Sequence, residues 1–179
     1  MIQKISINNY KSIRNIELDC KKLNVFIGEP NSGKSNIIEA LSLMSQGVIG
    51  KEVSKDIIRY KNMGDLFFDF NINRPIEVLA DVAGYRLKYA VRADGVPENQ
   101  FHFEALPISS EFPNMRIAHD GLILNTGNLI TTEFRFYEYK RLSSFAINFY
   151  PHLAPPYGDN LPALLLSNKD FRSWVSEFF

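Results

Sequence analysis

The chain has 179 residues, 45% hydrophobic and 22% charged, which is enough apolar material for one packed domain and too much for a disordered chain. Lys+Arg and Asp+Glu number 20 each, so a whole-domain basic field for gripping nucleic acid is excluded, although a local basic patch is not. The single cysteine, Cys20, excludes an internal disulfide and a Cys-rich zinc site, and no apolar stretch approaches the roughly 20 residues that span a bilayer, so the expectation is a cytoplasmic protein without a membrane partner.

In chain order, Ile2 to Ile7 alternates apolar and polar residues as a half-buried strand does. Asn8 to Ser12 breaks the pattern, and Ile13 to Leu18 resumes it. Leu23-Asn24-Val25-Phe26-Ile27 is short and mostly apolar, as expected of a strand buried on both faces. Ile37, Ile38, Leu41 and Met44 then recur at helical spacing, which predicts an amphipathic helix from Lys34 to about Met44, ending before Gly47 and Gly50. Strand-type runs follow at Ile76–Val82, Tyr85–Arg92, Phe101–Leu106, Met115–His119, Gly121–Leu124 and Thr131–Tyr139. Turn residues separate them, best at Ala83-Gly84 and Asp120-Gly121, and the joins are too short for parallel crossovers. This predicts an antiparallel meander beside the strand at Leu23–Ile27. Past Pro151, Pro155 and Pro156 the chain turns helical: Asp159 or Asn160 can cap a helix beginning near Pro162, with Phe171, Trp174, Val175 and Phe178 on one face.

The chemistry sits between the predicted strand and helix. Gly28-Glu29-Pro30-Asn31-Ser32-Gly33-Lys34-Ser35 matches G-x-x-x-x-G-K-[ST], the phosphate-binding (Walker A) pattern. Its glycines let the backbone turn tightly and bring N–H groups against phosphate oxygens. The helix that follows, opening Lys34-Ser35-Asn36, aims its positive end at the same phosphates. Lys34 supplies a charge for the β/γ-phosphates and is the candidate catalytic residue, while the Ser35 hydroxyl is the candidate ligand for Mg²⁺. By coincidence the pattern should arise in well under about 5% of chains this size. The expected cofactors are ATP and Mg²⁺.

The flanks narrow the reading. Ile7-Asn8-Asn9-Tyr10-Lys11-Ser12-Ile13, the loop itself, and Gly33-Lys34-Ser35-Asn36-Ile37-Ile38-Glu39-Ala40-Leu41 together resemble the N-terminal head segment of SMC-like ATPases, which include RecF and OLD-type proteins and AAA-labelled ATPases. Ile57-Ile58-Arg59-Tyr60 and Gly158-Asp159-Asn160-Leu161 are similar to later elements of that group, whereas Pro30 departs from its usual loop. The resemblance implies an α/β fold: a P-loop head lobe with a mixed or antiparallel sheet packed around the P-loop helix, plus C-terminal helices. It divides the chain into 1–50 (strand, loop, helix), 74–139 (meander) and 159–179 (helices) within one lobe of a longer head. It also implies that Lys11 and Ser12 contact the nucleotide and that Arg59 reaches the γ-phosphate or a facing site. Its partners would be the C-terminal half of the same head or a second head paired across nucleotides, and DNA by resemblance alone.

Hydrolysis in this class needs an acidic strand ending Asp-Glu and an L-S-x-G signature. Asp81, Glu77 and Asp69 lack that context, and neither Leu142-Ser143 nor Leu166-Ser167 leads to the glycine. Gln46 and Gln100 are weak candidates for a metal-activating glutamine, and His102, His119 and His152 are too scattered for a metal triad. The expected activity is therefore an ATPase when complete, with this chain alone binding ATP and hardly hydrolysing it. A non-hydrolysing regulatory module is the alternative, and a small P-loop kinase is disfavoured because the meander replaces βαβ units.

Overall fold

In the computed structural model seven strands form one sheet: β1 (Ile2–Tyr10), β2 (Ile13–Asp19), β3 (Ile76–Val82), β4 (Tyr85–Asp94), β5 (Gln100–Leu106), β6 (Asn114–Ala118) and β7 (Ile123–Asn125). Their order is β2-β1-β3-β4-β5-β6-β7, and every neighbouring pair is antiparallel. The structure describes residues 1–43, 52–94, 100–106, 114–125, 137, 143–147 and 158–177. The chain divides into two units, Met1–Phe134, which holds the sheet, and Arg135–Phe179.

Alternation in the sequence sets the buried face. In β3, Ile76, Val78, Ala80 and Val82 are buried, while the residues between them are partly exposed. Val78 lies opposite Ile7 of β1 and Tyr89 of β4, and Ala80 opposite Ile5 and Leu87, so one apolar face continues across three strands. Ala83 and Gly84, both left-handed with φ of 48° and 90°, close the β3–β4 hairpin in two residues.

The first hairpin is longer than its pattern suggests. β1 runs on through Asn8 and Asn9 to Tyr10, which pairs with Ile13, so only Lys11 and Ser12 form the tip. Asn9 takes a left-handed backbone (φ 57°), which interrupts the alternation and leaves both Asn9 and Tyr10 buried. The Asn9 amide donates to the carbonyls of Arg74 at 2.6 Å and Asn71 at 3.3 Å, fixing the approach to β3.

Among the described residues, the segment between β2 and β3 carries the loop, the helix α1 (Lys34–Ser42), which contacts β1, and two short 3-10 turns, Met63–Leu66 and Phe68–Phe70. The buried side of the helix runs through Ile37, Ala40 and Leu43, joined by Glu39 and Ser42; Ile38 is exposed and Leu41 half-buried. The expected face of Ile37, Ile38, Leu41 and Met44 is corrected accordingly, with Met44, Gly47 and Gly50 outside the described residues.

A second correction concerns Leu23–Ile27. This run is not a strand, and Leu23, Val25 and Ile27 are 80%, 69% and 90% exposed. A strand buried on both faces needs hydrogen-bonded neighbours along its edges, and β3 takes its place beside β1 instead. The meander is antiparallel as expected, but its neighbour is the N-terminal strand.

In the second unit, α2 (Leu161–Ser167) starts after Asn160 with Pro162 in its first turn, and α3 (Lys169–Ser176) follows. Asn168 is extended and divides them, and its Oδ1 accepts the Phe171 N–H at 2.9 Å, capping α3. The expected strand at Thr131–Tyr139 lies outside the described residues except for Tyr137, as do Gln46, His152, the three prolines and Phe178. Among the described residues no helix is long and apolar enough to cross a membrane.

Candidate nucleotide-binding site

The loop Gly28–Ser35 is built by local backbone chemistry. The Ser32 N–H bonds the Glu29 carbonyl at 3.3 Å, and Asn31 and Gly33 are left-handed, with φ of 63° and 88°. Asn tolerates that conformation better than most side chains, and glycine needs no concession. A Cβ on Gly33 would also stand 3.1 Å from the Ser12 hydroxyl oxygen, so the loop closes against the β1–β2 hairpin tip only without one. Gly28 has a similar role: its Cβ would meet Ser32 Oγ at 3.1 Å.

Gly33 is the N-cap of α1, makes no side-chain cap and is followed by no acidic residue in the first turn. The first helical hydrogen bond runs from the Ile37 N–H to the Gly33 carbonyl at 3.2 Å. The N–H groups before Ile37 have no intrahelical acceptor, which leaves the positive end of α1 open to an anion. Glu29, Pro30, Asn31, Ser32 and Ser35 are exposed on the same rim.

Lys34 is folded across this loop. Its ammonium donates to the Gly28 carbonyl at 2.8 Å, the Glu29 carbonyl at 2.5 Å and Ser32 Oγ at 3.0 Å. Three neutral acceptors hold it where a phosphate oxygen, being charged, would be the stronger partner.

Ser12 meets the loop at Gly33, whereas Lys11 and Arg59 meet α1 further along, at Glu39. Asn36 Nδ2 donates to Ser12 Oγ at 2.8 Å, tying α1 to the hairpin tip. Lys11 Nζ donates to a Glu39 carboxylate oxygen and, at 2.6 Å, to the Arg59 carbonyl. Arg59 Nε donates to the other Glu39 oxygen at 2.6 Å. Lys11, Asn36 and Arg59 line one opening of about 410 Å³ together with Asp65, Phe67, Asp69 and Phe70. Arg59 thus meets Glu39, the residue that sequence reasoning passed over although it stands in the Gly33–Leu41 motif. Beside it, burial and then the Glu39 charge push the Tyr10 phenol well above its ordinary pKa.

Glu77 and Asp81 sit elsewhere, on β3. Asp81 is held by both Nε and Nη2 of Arg86, at 2.6 and 2.9 Å, which lowers its pKa, and Glu77 pairs with Lys88. Asp69 is exposed in left-handed backbone and also borders a cleft of about 610 Å³ that contains no loop residue. Among the described residues no three His, Cys, Asp or Glu side chains cluster to hold a metal. The donor set nevertheless fits Mg²⁺ bound with a nucleotide, because that ion takes one or two protein oxygens, phosphate oxygens and water. Ser35, exposed in the first turn of α1, offers a hydroxyl oxygen at the end of the loop.

A glycine-bounded loop at an uncapped helix start, with a lysine laid across it, defines a P-loop ATPase domain of mixed α/β fold. Comparison with known families agrees: the AAA ATPase domain family matches residues 1–110, more than half of the chain. The chain belongs to that family, whose P-loop members bind ATP and Mg²⁺ in general. It is also similar to an ATP/GTP phosphatase of Helicobacter pylori (strain ATCC 700392 / 26695), at 48% identity over 42 residues, or 23% of this chain. That match spans only 11% of the relative's length.

Proposed function

We propose that the chain is the ATP-binding part of an SMC-like ATPase that binds Mg·ATP through Gly28–Ser35 and couples hydrolysis to pairing of heads. The observation that supports the ATP-binding part of this reading is the open N-terminus of α1 behind Gly33, with Lys34 held over the loop by neutral acceptors. Lys34 contacts the β/γ-phosphates, Ser35 holds the ion, and Glu29 to Asn36 wrap the phosphates. Lys11, Ser12 and Arg59 border the nucleotide. When bound, the ion would supply positive charge beside the transferred phosphoryl group.

The groups that activate water come from outside the described residues, in the C-terminal half of the head or in a facing head. Two features support this. Glu77 and Asp81 are engaged in cross-strand ion pairs. The apolar side chains of Leu23, Val25 and Ile27 stand exposed beside a cleft of about 570 Å³ bordered by Ile5, Leu18, Phe26 and Leu41, a surface suited to covering by that half. Any coupling to DNA would follow from the SMC-like reading alone.

Phosphate release tests the proposal when measured for this chain and for the product of the whole reading frame that encodes it. The chain alone should show trace turnover, and the whole product should approach the enzyme range of about 1 s⁻¹ or more. Steady turnover by the chain alone, abolished by Lys34→Ala, would overturn the division of labour.

A further inference from the structure

We propose that Glu39 is a positioning residue for the phosphate site: it grips Lys11 and the Nε edge of Arg59, so that the terminal nitrogens of Arg59 are presented to a phosphate group. This deepens the nucleotide-binding reading and rests on it.

The Glu39 side chain is 7% exposed, on a helix whose polar residues would ordinarily face water. A carboxylate leaves water at this cost only when donors meet its lone pairs. Here they come from two distant segments: Lys11 at the β1–β2 hairpin tip, and Arg59 through Nε at 2.6 Å and its backbone N–H at 3.4 Å. Lys11, itself 13% exposed, also bonds the Arg59 carbonyl, so one carboxylate fixes both ends of a small bridge.

The Arg59 side chain, by contrast, is 69% exposed, and among the described residues its two terminal nitrogens have no hydrogen-bond partner. A guanidinium is a rigid planar fork, so holding Nε sets where the terminal pair points. That pair matches two oxygens of a phosphate. Asn36, the residue after Ser35, lines the same opening as Arg59, so the fork shares that opening with the first turn of α1. The ligand is the terminal phosphate of a nucleoside triphosphate, carried on this loop or on that of a second copy.

The test is calorimetric affinity for Mg·ATP and Mg·ADP in wild type, Glu39→Gln, Arg59→Ala, Arg59→Lys and the Glu39→Gln/Arg59→Ala double variant, with thermal unfolding of each. Glu39→Gln and Arg59→Ala should each weaken ATP binding about tenfold while ADP binding changes less, as expected for loss of one charged hydrogen bond. The double variant should be no weaker than either single one. A Glu39→Gln chain that melts earlier yet keeps the wild-type ATP-to-ADP ratio, or effects that add, would overturn the proposal. Should Glu39→Gln fail to fold, Arg59→Lys decides. It should behave as Arg59→Ala, since a lysine cannot be gripped and forked at once, and restored ATP preference would overturn the proposal. Wild-type binding that depends on Lys34, with the ratio unmoved by these variants, removes the Glu39 role alone. Absence of any wild-type nucleotide binding removes the nucleotide reading and this role together. An Arg59→Ala effect at every protein concentration assigns the phosphate to the chain's own loop. An effect confined to concentrations at which copies associate assigns it to the facing one, and either supports the fork.

Discussion

The ammonium of Lys34 reaches back 2.8 Å to the carbonyl oxygen of Gly28, the first residue of its own loop. This contact spans the loop from one end to the other and keeps the charge that a phosphate would attract against the loop. Gly28 permits it, because its Cα carries no Cβ to crowd Ser32, which also accepts from the ammonium.

Two of the left-handed glycines, Gly33 and Gly84, separate loop function from backbone strain. Gly33 (φ 88°) meets Ser12, whereas Gly84 (φ 90°) has nothing within 4 Å of where a Cβ would stand. Gly84→Ala should lower stability by about 1–2 kcal/mol, the cost of a left-handed non-glycine, and leave nucleotide affinity unchanged. Gly33→Ala should show a similar or larger loss together with weakened Mg·ATP binding. Urea unfolding and calorimetry on the same samples read both effects.

Asn9→Ala should destabilise the fold by about 1–3 kcal/mol, because it leaves the carbonyls of Asn71 and Arg74 without their donor. It also places alanine at φ 57°. Urea unfolding measures the loss, and nucleotide affinity of the folded fraction should match wild type.

Asp65 gives a pH signature. Backbone N–H groups of Asn62 and then Lys61 hold its carboxyl below the ordinary value. A lowered folded pKa contributes stability above the unfolded value, near 3.9, that is lost as the pH falls through the folded one. Asp65→Ala should therefore melt earlier than wild type at neutral pH, and the gap should narrow from about pH 4 downward. Melting temperature against pH checks this, and a gap independent of pH would contradict it.

Much of this was legible where patterns are local. The strict alternation of Ile76–Val82 predicts β3 with its observed bounds, and Ala83-Gly84 predicts its hairpin. The phosphate loop is likewise local, since glycine, lysine and helix start are adjacent in sequence. Leu23–Ile27 misled because composition reports a wish for burial, not the neighbours that would grant it. Asn8 and Asn9 read as a break, yet the strand continues because Asn accepts a left-handed backbone and bonds the stretch before β3. Glu39 escaped notice for a related reason. A glutamate on an amphipathic helix reads as solvent-facing, and its burial depends on Lys11 and Arg59, which reach it from 28 and 20 residues away in sequence.

The central claim is that Gly28–Ser35 binds Mg·ATP, and titration of Mg·ATP into wild type and Lys34→Ala, followed by calorimetry, tests it most directly. Among the described residues Lys34 bonds only its own loop, so its loss should change stability by no more than about 0.5 kcal/mol. The account predicts saturable binding by wild type and binding lost, or weakened about a hundredfold or more, in a variant that melts as wild type does. Equal affinity in the two proteins would contradict it.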